Sequence, residues 1–120
     1  MVPNKKSFEG KVYVLIGGKT FSAGSSFVLL CKNQGITLVG EEIGGSYSTQ
    51  TGGYPIIYTL PNSKVKVLIS FVKISRYTKD KTVKKGSRIM PDIEIPLTVK
   101  DLINKNNSQL DYVIKQINKE

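Results

Sequence analysis

The sequence contains no histidine, a single cysteine, and nine acidic residues against eighteen basic ones. Without histidine or a second cysteine the usual nitrogen and sulfur ligand sets for zinc are missing, and no metal or other cofactor is expected. Cys31 has no partner for an internal disulfide, which leaves the redox compartment open. It reads as a small core residue. No stretch reaches eighteen consecutive apolar residues, so no membrane span is expected. The N-terminal MVPNKKSFEGK lacks an apolar h-region, and no signal peptide is expected on this chain. The net charge of +9 comes from lysines spread along the chain, with a local cluster from Lys79 to Arg88. Aromatics are not interleaved with them as a stacking platform needs. The charge therefore reads as a solvated surface, and nucleic acid is not expected as a partner.

What remains is a chain of 120 residues, 39% apolar and 22% charged, enough for one globular domain with a modest core. Its centre of organisation is Val12 to Gly24, VYVLIGGKTFSAG. Val12 to Ile16 is the pattern of a strand buried on both faces. Gly17 and Gly18 allow a sharp turn. A helix is expected over Ala23 to Gln34, with Phe27, Leu30 and Cys31 on its apolar face and Gly35 as its C-terminal stop. Ser22 then stands where a strand passes into a helix. Two roles fit it there. Serine is a favoured N-cap, its oxygen accepting an orphan N–H. The same strand–turn–helix geometry can also hold a nucleophile beside an oxyanion site.

Ile36 to Val39 is a second strand, ended by Gly40. Strand, helix and strand in so short a span imply a parallel pair with a right-handed crossover. That places the turn before Ser22 and the loop after Val39 at the same end of the sheet. This loop, residues 41–53, brackets small hydroxyl residues between two glycine pairs. It reads as too polar for core, either a mobile surface loop or the lining of a cleft. Glu41 and Glu42 are adjacent, face opposite ways in extended chain, and do not make a paired-carboxylate site. Tyr54 to Leu60 and the alternating Lys64 to Ser70 suggest a hairpin about Pro61-Asn62-Ser63, with the second strand running on toward Ile74. Ser75 to Gly86 is a charged excursion, and Pro91 to Pro96 an extended segment. Two short helices close the chain. Thr98 caps the first, and the second runs from about Ser108 with Leu110, Val113, Ile114 and Ile117 on one face. Residues 1–10 read as a tail or linker.

Together these pieces resemble the C-terminal processing (tail-specific) serine peptidases, more closely their tricorn-like and retinoid-binding-protein-like branch. The matching residues are Gly10-Lys11-Val12-Tyr13-Val14-Leu15-Ile16, Thr20-Phe21-Ser22-Ala23-Gly24, and Thr37-Leu38-Val39-Gly40-Glu41 with Gly44-Gly45. Leu60-Pro61-Asn62-Ser63, Pro91-Asp92-Ile93 and the tail from Asp101-Leu102 to Leu110 complete the match. They keep the family's order and cover nearly the whole chain from Phe8 onward. The resemblance implies a crotonase-like α/β fold and hydrolysis of polypeptide substrates through an acyl-enzyme. It makes Ser22 the nucleophile and the Ala23 backbone N–H an oxyanion donor. Gly18, Thr20, Gly24, Gly44, Gly45 and Ser46 become candidate lining of the substrate cleft.

Several departures bear on activity. Ser46 stands where the processing branch has its lysine base, and the histidine of the tricorn-like branch has no counterpart here. Where that branch carries a glutamate ahead of the Pro-Asp motif, this chain has Lys84 and Lys85, with Asp80 the nearest acid. Lys19 is close to Ser22, but a lysine base needs its pKa lowered by burial. The family's upstream half, which supplies a second oxyanion donor, has no counterpart either. The expectation is the C-terminal part of a peptidase catalytic domain over residues 11–120, an incomplete domain inert alone, with the missing upstream part as its partner. The alternative is a non-catalytic homologue that binds peptide or an apolar ligand. Family inference locates such proteins in the bacterial envelope, periplasmic or extracellular.

Overall fold

The computed structural model describes residues 7–84 and 86–119. Strand β1 (Tyr13–Ile16), helix α1 (Ala23–Asn33) and strand β2 (Thr37–Gly40) form the expected unit. β1 and β2 are parallel, with Val14 opposite Leu38 and Leu15 opposite Val39. A third parallel strand, β7 (Ile93–Glu94), lies on the far side of β2. It lies within the segment expected only to be extended, and prolines flanking a two-residue ladder hid it. Asp92 fixes its entry. One carboxylate oxygen accepts the Leu38 N–H at 2.8 Å, and the other meets Lys32 Nζ at 3.1 Å.

The sheet packs one face on α1. Val14, Ile16 and Leu38 meet Val28, Leu29 and Cys31 there, and Ile43, Tyr47 and Ile89 extend the cluster. The helical stripe differs from the expected one, since Phe27 and Leu30 are 55% and 53% exposed. Both stripes of α1 are apolar, and the sheet takes the one carrying Ser25, Val28 and Leu29. Gly35, at φ +76°, does stop the helix. Its N–H reaches the Lys32 carbonyl and the Ile36 N–H reaches that of Cys31, the paired closure of a Schellman motif.

The other sheet face is only partly covered. Helix α3 (Ser108–Ile117) packs against β1 and β2, and Val39 and Val113 are buried. Leu15 stays 38% exposed, so β1 is not buried on both faces as its apolar run implied. Leu110, Ile114 and Ile117 of α3 are also exposed. Ahead of α3 in the chain, helix α2 (Val99–Asn104) begins at a capping box of Thr98 and Asp101, as expected.

The middle of the chain forms a ribbon. Strands β4 (Ile56–Thr59) and β5 (Lys66–Ile69) make the expected hairpin. Its continuation is a separate pair, β3 (Thr49–Gly52) with β6 (Val72–Ser75), shifted by one residue in register. Part of the 41–53 loop is thus strand, and its Ile43 and Tyr47 are core residues despite polar neighbours. On the ribbon, Ile56, Ile69, Tyr58 and Val67 share one face, and Thr59 and Lys66 lie on the other. Both strands are exposed throughout. The chain is a mixed α/β protein: a parallel sheet, antiparallel hairpin ladders and C-terminal helices.

Candidate functional site

The turn after β1 is closed by the Thr20 N–H on the Gly17 carbonyl at 2.9 Å and by the Gly17 N–H on Thr20 Oγ1 at 3.4 Å. Phe21 and Ser22 follow, and α1 begins at Ala23. Ser22 has φ 49° and ψ −116°, and its side chain makes no capping hydrogen bond. The N-cap role is therefore not the one it plays. A non-glycine residue in this region costs about 1–3 kcal/mol and persists only where its surroundings enforce it. The hydroxyl is left exposed at the start of an eleven-residue helix with no acid in its first turn and Lys32 in its last. The first i−4 bonds of α1 start at Ser25 and Ser26, which reach the carbonyls of Phe21 and Ser22. The Ala23 N–H comes before them in the helix and points from the positive end of its dipole.

The loop after β2 is drawn against this elbow. The Gly45 N–H donates to the Thr20 carbonyl at 3.0 Å, and the buried Ser25 hydroxyl donates to the same oxygen at 3.3 Å. A Cβ on Gly44 would strike the Phe21 ring and the Gly18 carbonyl, and one on Gly45 would strike Ser25 Oγ. The glycine pair is what permits the approach. Between loop and elbow lies a pocket of about 350 Å³. Its lining includes Ser22, Gly44, Gly45 and Ser46, so half of the expected cleft residues meet the expected nucleophile.

The others fall elsewhere. Gly18 and Thr20 line a neighbouring cavity of about 530 Å³ with Lys19, Glu41 and Leu102. Gly24 packs on the Thr20 methyl, where a Cβ would sit 3.2 Å away. Lys19 is exposed and lines this second cavity, apart from the Ser22 pocket. Glu41 lines it too, while Glu42 pairs with Arg88 at 3.4 Å, so the two carboxylates diverge as expected. Ser46 Oγ lies 3.4 Å from Thr49 Oγ1 and accepts from the Thr49 N–H. Asp80 is bonded to Thr82 in its own turn, which holds its carboxyl below the ordinary aspartate range. The Lys84 carbonyl closes a turn onto Ser87, and Lys85 lies outside the described residues. Among the described residues no group of three or more His, Cys, Asp or Glu could hold a metal, and no helix is long and apolar enough to cross a membrane.

Sequence reasoning missed two groups. Arg76, just past β6, sends Nη2 to the Ser46 carbonyl at 2.7 Å and Nη1 to Ser26 Oγ at 3.1 Å. Its Nε is buried without a partner among the described residues, and burial pulls its pKa below the ordinary arginine value. Gln50, on β3, lines the Ser22 pocket with a buried Oε1 that has no partner among the described residues. Neither belongs to a motif, and only the pairing of β3 with β6 brings them to the elbow.

No curated protein sequence matches the chain. A family model does, that of peptidase family S41, over residues 2–95. That match spans well over half of the sequence and takes in the elbow, the glycine loop, the ribbon and the Pro-Asp segment, and the chain belongs to peptidase family S41.

Proposed function

We propose that this chain carries the nucleophile of a serine endopeptidase, with Ser22 as the attacking group. The observation that carries the reading is the Ser22 backbone, held at φ 49° with its hydroxyl uncommitted to a cap. In the reaction, Ser22 Oγ adds to the scissile carbonyl carbon and its proton passes to a base. The base returns the proton to the departing amine, and water then hydrolyses the Ser22 ester. The Ala23 N–H receives the developing oxyanion. Neither Ser46 nor Lys19 supplies a base at this pocket. The proposal therefore includes a base, and a second oxyanion donor, from the upstream part of a crotonase-like catalytic domain outside residues 1–120. The exposed apolar surfaces of β1, α3 and the ribbon support such a partner. The same reading places the substrate among polypeptides and the enzyme in the bacterial envelope, periplasmic or extracellular.

The test is a fluorophosphonate probe on the native protein, with the adduct mapped by peptide mass. Labelling at Ser22, abolished in Ser22→Ala, is expected. Labelling that survives the substitution sinks the proposal. The bonding of Ser46 to Thr49 in place of a basic partner favours a second reading, a peptide-binding homologue without turnover. Peptide hydrolysis by the native protein, lost in Ser22→Ala, eliminates it.

A further inference from the structure

The Ser22 carbonyl and the Ala23 N–H belong to one peptide plane, so whatever fixes the carbonyl aims the N–H. That carbonyl accepts two bonds, from the Ser26 N–H at 3.1 Å and from the Ser26 hydroxyl at 3.3 Å. A hydroxyl has one proton to give and two lone pairs to receive with. Arg76 Nη1 occupies a lone pair of Ser26 Oγ, which commits the Ser26 proton to Ser22. A guanidinium thus ends a chain of donors, Arg76 to Ser26 to the Ser22 carbonyl. Each link polarises the next, and drawing electrons toward the carbonyl makes the N–H of the same plane a better donor. The other arm of the guanidinium holds the Ser46 carbonyl across the pocket, and the Arg76 N–H on the Ser48 carbonyl, at 2.7 Å, fixes the base of the side chain.

The expense of this arrangement argues against mere packing. Among the described residues Arg76 spends its donors on neutral oxygens and not on a carboxylate, and its Nε is buried unpaired. A partly buried cation with no counter-ion is costly. Lysine at this place keeps the charge but cannot span both acceptors, because only the planar fork presents divergent donors.

We propose that Arg76, acting through Ser26, is a positioning residue that aims and polarises the Ala23 N–H as oxyanion donor. This rests on the reading of Ser22 as nucleophile. The test compares native protein with Ser26→Ala, Arg76→Lys and Arg76→Ala. Three quantities are read: the fluorophosphonate labelling rate at Ser22 per folded molecule, the unfolding midpoint, and the amide proton shift of Ala23 by NMR. Ser26→Ala and Arg76→Lys are expected to slow labelling about tenfold. That is well short of the loss, on the order of a hundred- to a thousandfold, that follows deletion of an oxyanion donor. The Ala23 amide proton should move upfield in both, and millimolar guanidinium should restore part of the rate in Arg76→Ala. A purely structural role lowers the unfolding midpoint while the rate per folded molecule and the Ala23 shift stay put, and that result overturns the proposal. If the unsubstituted protein does not label, the peptidase reading fails by itself. The Ala23 shift still decides whether Arg76 acts on that peptide plane.

Discussion

Replacing Ser22 by alanine and by glycine separates the two roles this residue could have by the sign of the stability change. An N-cap serine loses about 1 kcal/mol on truncation to alanine and only a few tenths to glycine. Ser22 makes no capping bond and sits at φ 49°. Alanine keeps the Cβ that makes this conformation costly, so Ser22→Ala should stay within about 0.5 kcal/mol of the parent, the range for a side chain with no partner to lose. Glycine removes that Cβ. The relief is about 1–3 kcal/mol, less about 0.5–1 kcal/mol for the extra freedom of glycine in the unfolded chain. Ser22→Gly should therefore be more stable by about 1 kcal/mol, within a span of roughly 0–2.5 kcal/mol. Urea unfolding should show an upward midpoint with an unchanged slope. The thermal midpoint should rise by a few degrees, at roughly 4–8 °C per kcal/mol for domains somewhat smaller than this one. A loss near 1 kcal/mol in Ser22→Ala, with Ser22→Gly no better than the parent, would refute the elbow and restore the cap. Under the proposed role of Ser22, neither variant can attack, and the glycine variant trades that role for a relaxed backbone.

Gly45→Ala should cost about 1–3 kcal/mol by overpacking, because its Cβ meets Ser25 Oγ. A double-mutant cycle with Ser25→Ala should recover part of that loss, and strict additivity would count against the contact. Asp92→Ala should lose about 1–3 kcal/mol with the Leu38 N–H left unpaired. Asp92→Asn keeps an acceptor, gives up only the exposed pair with Lys32, and should lose less than about 1 kcal/mol in chemical denaturation. Burial raises the Cys31 thiol above its ordinary pKa, so the unfolded chain gives up that proton first as pH rises. Stability should then fall above the ordinary thiol value more steeply in the parent than in Cys31→Ala, and iodoacetamide should reach Cys31 only on unfolding.

The βαβ unit was legible because its signals are local: apolar runs of strand length, a helix between them, and a glycine where the Schellman closure needs positive φ. Thr98 was legible for the same reason. Solvent exposure was not. Periodicity tells which residues of α1 share a stripe, but with two apolar stripes only the sheet decides that Val28 and Leu29 go in while Phe27 and Leu30 stay out. Strand β7 takes its ladder bonds from β2, not from its own propensity, and so left no period in the sequence. Within the site, Ser22 and Gly44 to Ser46 could be anticipated because two loops at one end of a parallel sheet must be neighbours. Arg76 and Gln50 could not. Their approach depends on a ladder register set more than twenty residues away in sequence. The free hydroxyl of Ser22 was equally hidden, since a cap and an elbow share one composition and differ in two dihedral angles.

The two-stranded ribbon has a kinetic consequence. With no layer on either face among the described residues, β4 and β5 are held by their ladder and by cross-strand pairs worth about 0.2–1 kcal/mol each. A free hairpin of this size is marginal in water. Its amides should therefore exchange with deuterium through local opening, orders of magnitude faster than those of the buried β2. Fraying should stop near Gly53, because beyond it β3 and β6 are tied to α1 through Arg76 and Ser26. The ribbon is then a cooperative unit of its own, able to open and close while Ser22 stays in place. Whatever settles on its Ile56–Tyr58–Val67–Ile69 face will slow that exchange, and the slowing can be timed residue by residue as a record of assembly.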